Sequence, residues 1–331
     1  MSSPALGPLR LSSVLFPRSP VLAVVQGGPA DAGQAGARNG AIDLTRLMAA
    51  FGIVLFHSGA PGGWFGYAAL PLFLILMLVL AAPAAERGNV GTYAQGRARR
   101  LLGPWLVWSG IYGALKLAEI AAGRSTVATE FAPSMILTGP AIHLWFLPFA
   151  FAACLITFAV VRAARTQRPW WTLGLAVAAL ATPALSQGDT LPIPLAQWAD
   201  VLPALMLGLM IAINPDPRRG AGLALVAALG MFGIGQAMGW QDTPGQTLLA
   251  MAAAALCLWI RLPSTALTRR IGDLALTVYL AHPLVISVLL RVTDLPEGSL
   301  TLALAVAVGT LALAVAIAAL RPVRAELALA H

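Results

Sequence analysis

The sequence contains four histidines, His57, His143, His282 and His331, and imidazole is the side chain suited to moving a proton near neutral pH. His57 ends an apolar run that opens Ala41-Ile42-Asp43-Leu44-Thr45-Arg46. On a helix, eleven steps from Arg46 to His57 make about 1100°, or three turns plus roughly 20°. The two therefore share one face, about 16 Å apart along the axis, and Asp43 falls within about 40° of His57. One stripe thus carries a carboxylate, a guanidinium and an imidazole. A buried Arg costs about 2.5–3.5 kcal/mol at mid-membrane on insertion scales, so this stripe is expected to face protein. Ionisable groups within a membrane mark function by default, which makes His57, Arg46 and Asp43 the candidate catalytic set. The competing reading is an Asp43–Arg46 ion pair at one helix end and an interfacial His57 at the other.

Three further groups carry possible chemistry. Arg97 and Arg100 lie in Tyr93-Ala94-Gln95-Gly96-Arg97-Ala98-Arg99-Arg100; three apart, they face the same way on a helix and suit a phosphate group. Read alone, they equally well mark a cytoplasmic loop. His143-Leu144-Trp145-Phe146-Leu147-Pro148 reads as a site or as an interfacial aromatic belt with a neighbouring His. In Tyr279-Leu280-Ala281-His282-Pro283, Tyr279 and His282 are neighbours on one helix face, and Pro283 frees a carbonyl one turn back. His143, Trp145, Tyr279 and His282 are the candidate substrate-binding residues. Lys116 and Glu119, also three apart, are expected to pair. Cys154 and Cys257 sit inside apolar runs and have no metal or disulfide spacing, so no metal is expected.

The elements that position these residues follow from composition. Of the 331 residues, 59% are hydrophobic and 10% charged, against about 25% charged in a soluble domain. Mean hydropathy is +0.81. Lipid must cover much of such a surface. A spanning helix needs about 20 residues, and apolar runs fall at 41–58, 64–84, 101–121, 144–161, 170–186, 195–213, 220–239, 245–260, 274–290 and 300–320. The first, fifth and eighth are short. Breaks on one side hold Arg10, Arg18, Arg38, Arg87, Arg97, Arg99, Arg100, Arg162, Arg165, Arg168, Arg218, Arg219, Arg261, Arg269, Arg270, Arg321 and Arg324; those on the other hold Arg124 and Arg291. Lys and Arg stay in cytoplasmic loops. The expected fold is therefore an all-α integral membrane bundle of about ten transmembrane helices with both termini cytoplasmic. Residues 1–38 read as a disordered extension, 39–322 as the transmembrane domain and 323–331 as a short cytoplasmic tail. The net charge of +8 is mostly topology, so no nucleic-acid partner is expected.

Together these pieces resemble the membrane-bound acyltransferase type 3 family of bacteria over about residues 38–320. The stretch from Asp43 through Arg46 to His57 resembles its opening motif, an Arg and a His with ten residues between them. Arg97-Ala98-Arg99-Arg100 resembles its Arg-x-x-Arg loop, and the runs at 143–147 and 279–283 are similar to others. One pattern departs: Gly66-Tyr67-Ala68-Ala69-Leu70-Pro71-Leu72-Phe73-Leu74 keeps only the apolar outline of the family's second-span motif and lacks its Ser-Gly. The substrate subfamily stays open on that account, and so does a relative with lost activity.

The resemblance implies transfer of an acyl group, often acetyl, from cytoplasmic acyl-CoA to a sugar hydroxyl across an inner membrane. It implies that Arg97 and Arg100 hold the CoA phosphates, that the pantetheine arm runs inward beside Arg46, and that His57 deprotonates the acceptor hydroxyl. The acceptor would be a cell-surface glycan or a lipid-linked sugar, with membrane lipid as surroundings. Imidazole has an ordinary pKa of about 6.5, so a neutral base at pH 7 fits this role. The rival from another class is a secondary transporter or flippase of a glycan-related substrate. Such proteins often show related halves, and the stretches 41–190 and 195–320 show no convincing repeat.

Overall fold

The computed structural model describes residues 39–187, 191–240 and 242–327. The expected extension at 1–38 lies outside the described residues. Every regular element among them is helical. Ten long helices run as α1 (Gly40–His57), α2 (Ala69–Arg87), α3 (Val90–Ala121), α4 (Phe146–Ala163), α5 (Arg168–Ala181), α6 (Leu195–Ala212), α7 (Pro217–Met238), α8 (Thr243–Trp259), α9 (Ala266–Val292) and α10 (Leu300–Leu327). They fall where the apolar runs place them. Seven helical stretches, those holding α1, α2, α4, α6, α7, α9 and α10, are long and apolar enough to cross a membrane. The runs expected to be short give helices of 18, 14 and 17 residues. The chain is thus an all-α, multi-pass membrane protein.

The helix starts are written in the sequence. Asn39 caps α1, accepting from Ala41 N at 3.0 Å. Its amide also donates to Cys257 O at 2.7 Å and Ile260 O at 2.8 Å, tying the start of α1 to the end of α8. Asn89 caps α3, Asp216 caps α7 ahead of Pro217, and Thr265 with Thr268 forms a capping box on α9. Each cap satisfies amide donors that a helix start leaves free. Lipid gives helices no hydrophobic reason to associate, so close packing must hold them together. Small residues allow it: a Cβ on Gly66 would come 2.3 Å from Gly52 O, so the short helix Gly63–Tyr67 can lie against α1 only with glycine there.

Polar contacts gather at the two ends of the bundle. At the arginine-rich end, Arg162 donates to Ala85 O at 3.2 Å and to Gly88 O, and Arg165 donates to Glu86 O. These are carbonyls at the C-terminus of α2, where helices favour cations. Arg218 donates to Trp259 O at 3.2 Å. At the opposite end, Trp64 donates to Asp242 at 2.7 Å, Thr243 to Asp200 at 3.1 Å and Arg291 to Glu119 at 3.1 Å.

One expected pair is corrected. Lys116 does not pair with Glu119; its Nζ binds Glu130 Oε2 at 2.7 Å, and Glu119 binds Arg124 and Arg291. The connection after α3 folds back over the helix end and brings Glu130 to the lysine. Hydrogen bonds from Lys116 and then Ser125 hold the Glu130 carboxyl below its ordinary range.

Candidate functional site

Three histidines that are far apart in the chain meet at the end opposite the arginine-rich one. The rings of His57 and His282 lie 4.9 Å apart between centroids, and those of His143 and His282 lie 5.3 Å apart. His57 comes from the last residue of α1, His143 from a 3-10 turn at Ile142–Trp145, and His282 from mid-α9. Two tyrosines hold them. Tyr279 donates to the backbone carbonyl of His143. Tyr112 of α3 donates to Leu280 O at 2.8 Å, and its ring stands 5.2 Å from that of His143. His282 Nδ1 lies 2.6 Å from Tyr279 O, and His143 Nε2 lies 3.4 Å from Leu280 O. These partners are mostly backbone groups of α9, so one helix sets the height and tilt of two imidazoles.

Access differs among the three. His143 and His282 are 4% and 0% exposed, whereas His57 is exposed. An incoming group meets His57 first. Phe56 lies beside it, 5.0 Å ring to ring, and reaches Tyr67 at 4.7 Å. Ser58 is buried and donates to Val54 O at 2.8 Å, so its hydroxyl is occupied by its own helix. Among the described residues no group of three His, Cys, Asp or Glu side chains could hold a metal. A groove of about 460 Å³ between α1 and α8, lined by Leu44, Met48, Ala253 and Leu256 among others, holds none of the histidines.

Asp43 and Arg46 stand elsewhere. The helical rise puts them about 21 Å and 16 Å from His57 along α1. Arg46 Nη1 lies 3.8 Å from Asp43 Oδ1. Asp43, 2% exposed, sits in the first turn of α1, where the helix dipole favours an anion. A Cβ on Gly272 would lie 2.6 Å from its Oδ1, so glycine is what lets α9 close on this carboxylate. The arrangement cannot place Asp43, Arg46 and His57 on one reacting atom.

Arg97 and Arg100 occupy the first half of α3. The Arg97 guanidinium lies 5.1 Å over the Tyr93 ring, and Tyr93 is fixed by a bond to Cys154 O at 3.0 Å. Partial burial and, next, the charge of Arg97 push the Arg100 pKa down; the two cations therefore share one patch that an anion would relieve. From Arg100 to Tyr112 the helix rises about 18 Å. Both α1 and α3 thus carry guanidinium at one end and reach the imidazoles at the other.

Of the residues expected to bind substrate, His143, Tyr279 and His282 come together. Trp145, 4% exposed, meets Phe146 at 5.7 Å and Phe149 at 5.9 Å between centroids, both edge to face. The sequence reading missed Tyr112. A tyrosine two turns from the exposed end of an apolar run has no motif around it, and the only available signal was its polar tip inside a span.

A family model described as an acyltransferase domain matches residues 39–319. No curated protein and no solved structure matches the chain.

Proposed function

The chain belongs to the acyltransferase 3 family, and we propose that it moves an acyl group, acetyl in the simplest case, from cytoplasmic acyl-CoA to a hydroxyl of a cell-surface glycan or its lipid-linked precursor. It is a membrane acyltransferase; the donor, the acceptor and the residue roles below are our reading. The observation that carries it is the convergence of His57, His143 and His282 at one end, with Arg97 and Arg100 at the other.

In this reading the chain crosses a bacterial inner membrane ten times, with both termini cytoplasmic. The alternation of arginines supports that orientation, and so does the gathering of Arg162, Arg165 and Arg218 at one end. Arg97 and Arg100 hold the phosphates of the donor. Arg46, tethered by Asp43, faces the donor's extended arm along α1. The thioester reaches the imidazole end, where the exposed His57 removes the proton of the acceptor hydroxyl. Oxygen bonds to the acyl carbon, the carbon–sulfur bond breaks, and His57 returns the proton to the departing thiolate. Phe56 and Tyr67 flank the approach to His57 and supply an apolar and a polar edge for a sugar ring.

The test uses purified protein in nanodiscs with radiolabelled acetyl-CoA. Slow hydrolysis of acetyl-CoA, and transfer to added envelope glycan, should fall by about 10²–10⁴-fold in His57→Ala. Binding of acetyl-CoA should weaken in Arg97→Ala/Arg100→Ala. Wild-type protein that neither binds nor turns over acetyl-CoA would sink the proposal.

A further inference from the structure

With His57 as the base, His282 has no role beyond packing, yet its surroundings constrain it more than packing requires. Pro283 has no N–H. The Tyr279 carbonyl, one turn back, therefore lacks the helix bond that residue 283 would otherwise supply. His282 Nδ1 takes that place at 2.6 Å. A carbonyl oxygen only accepts, so Nδ1 carries the proton, and Nε2 of the neutral ring is a lone pair. That nitrogen is buried without a hydrogen-bond partner in a side chain that is 0% exposed. A buried polar atom left unpaired is uncommon and costs stability. The His282 ring lies beside two others, His57 at 4.9 Å and His143 at 5.3 Å between centroids, and His143 already bonds Leu280 O through its own Nε2.

We propose that His282 is a positioning residue for His57, its Nε2 accepting the N–H of His57 so that the other nitrogen of His57 faces the acceptor hydroxyl. The inference rests on the acyl-transfer reading. In hydrolase triads an orienting carboxylate does this work for the base. Here a neutral imidazole does it, locked in one tautomer by a carbonyl that a proline has freed. The hydroxyl proton passes to His57 as the oxygen–acyl bond forms and leaves with the thiolate as the carbon–sulfur bond breaks. His282 neither gains nor loses a proton. It acts by accepting the second N–H of the imidazolium that His57 becomes. Tyr279 serves the same end twice, through its carbonyl to His282 and its hydroxyl to the His143 backbone.

Two variants separate this role from a structural one. Pro283→Ala returns an N–H to the Tyr279 carbonyl and improves the helix; a packing role expects equal or greater stability with full activity. The proposal expects kcat to fall at least tenfold, with KM for acetyl-CoA unchanged and the melting temperature equal or higher. His282→Asn keeps an N–H near the Nδ1 position and deletes Nε2, and should lose kcat in the same way. Nitrogen-15 NMR of histidine-labelled protein should show His282 as the Nδ1–H tautomer in wild type and a mixture in Pro283→Ala. Should His282→Asn fail to fold, Pro283→Ala and the NMR decide. Both variants within twofold of wild-type kcat while His57→Ala is inactive would overturn the inference and leave the acyltransferase reading standing. Wild-type turnover in His57→Ala would overturn that reading itself.

Discussion

The two ends of the bundle solve opposite problems. At the imidazole end, side chains are buried and tied to backbone: Tyr112 and Tyr279 each spend their hydroxyl on a carbonyl, and His143 and His282 are almost wholly enclosed. At the arginine end, Arg99 is exposed, Arg100 is partly buried yet open to solvent, and Arg97 rests on one aromatic face. Chemistry on one atom needs groups held to within a fraction of an ångström, which favours locked rotamers. Capturing a soluble anion needs charge that can be reached and that tolerates several poses. Burial marks the residues that hold the imidazoles in place, whereas exposure marks Arg99, Arg100 and the base His57 itself.

The largest effect is expected at His57. His57→Ala should reduce acyl transfer by about 10²–10⁴-fold, the range for a lost general base, in a protein that still unfolds in one cooperative transition. The check is initial rate against thermal unfolding in the same nanodisc preparation. Next comes the arginine end. Arg97→Ala/Arg100→Ala should raise KM for acetyl-CoA by roughly ten- to a hundredfold, on the scale of one charge-assisted contact, and leave kcat within a few fold. Equal losses of kcat in both sets would erase the proposed division of labour.

Smaller effects sharpen the same contrast. Tyr279→Phe leaves the His143 carbonyl without its hydroxyl partner and should lower stability by about 1–3 kcal/mol, together with a loss of rate that denaturant melts and kinetics would both register. Gly272→Ala puts a methyl against Asp43 and should cost about 1–3 kcal/mol by overpacking, with kcat preserved in the folded fraction. Lys116→Ala removes a pair between part-exposed groups and should leave both rate and melting temperature at wild-type values. Exposed ion pairs contribute little.

The legible part of this protein is the part that is written along one dimension. Ten apolar runs gave ten helix positions because spanning length and apolarity are local properties. The freed carbonyl before Pro283 was legible for the same reason, since it needs only residues 279–283. The meeting of His57, His143 and His282 was not, because nothing between residues 57, 143 and 282 records which helices become neighbours. Lys116 shows the opposite failure. Helical spacing offered Glu119 as the local partner, but the chain folding back after α3 supplied Glu130, and a tertiary contact outcompeted the nearby one. The shared stripe of Asp43, Arg46 and His57 and its length along the axis both follow from helix geometry alone, because all three lie on one continuous helix.

If donor and acceptor meet from opposite ends, sealed membrane vesicles of known orientation will show it. Radiolabelled acetyl-CoA would be supplied either to the face exposing Arg97 and Arg100 or to the face exposing His57, with labelled envelope glycan as the readout. Glycan on the His57 side should become labelled only when acetyl-CoA is given to the arginine side. Labelling that depends on acetyl-CoA supplied to the His57 side would contradict it.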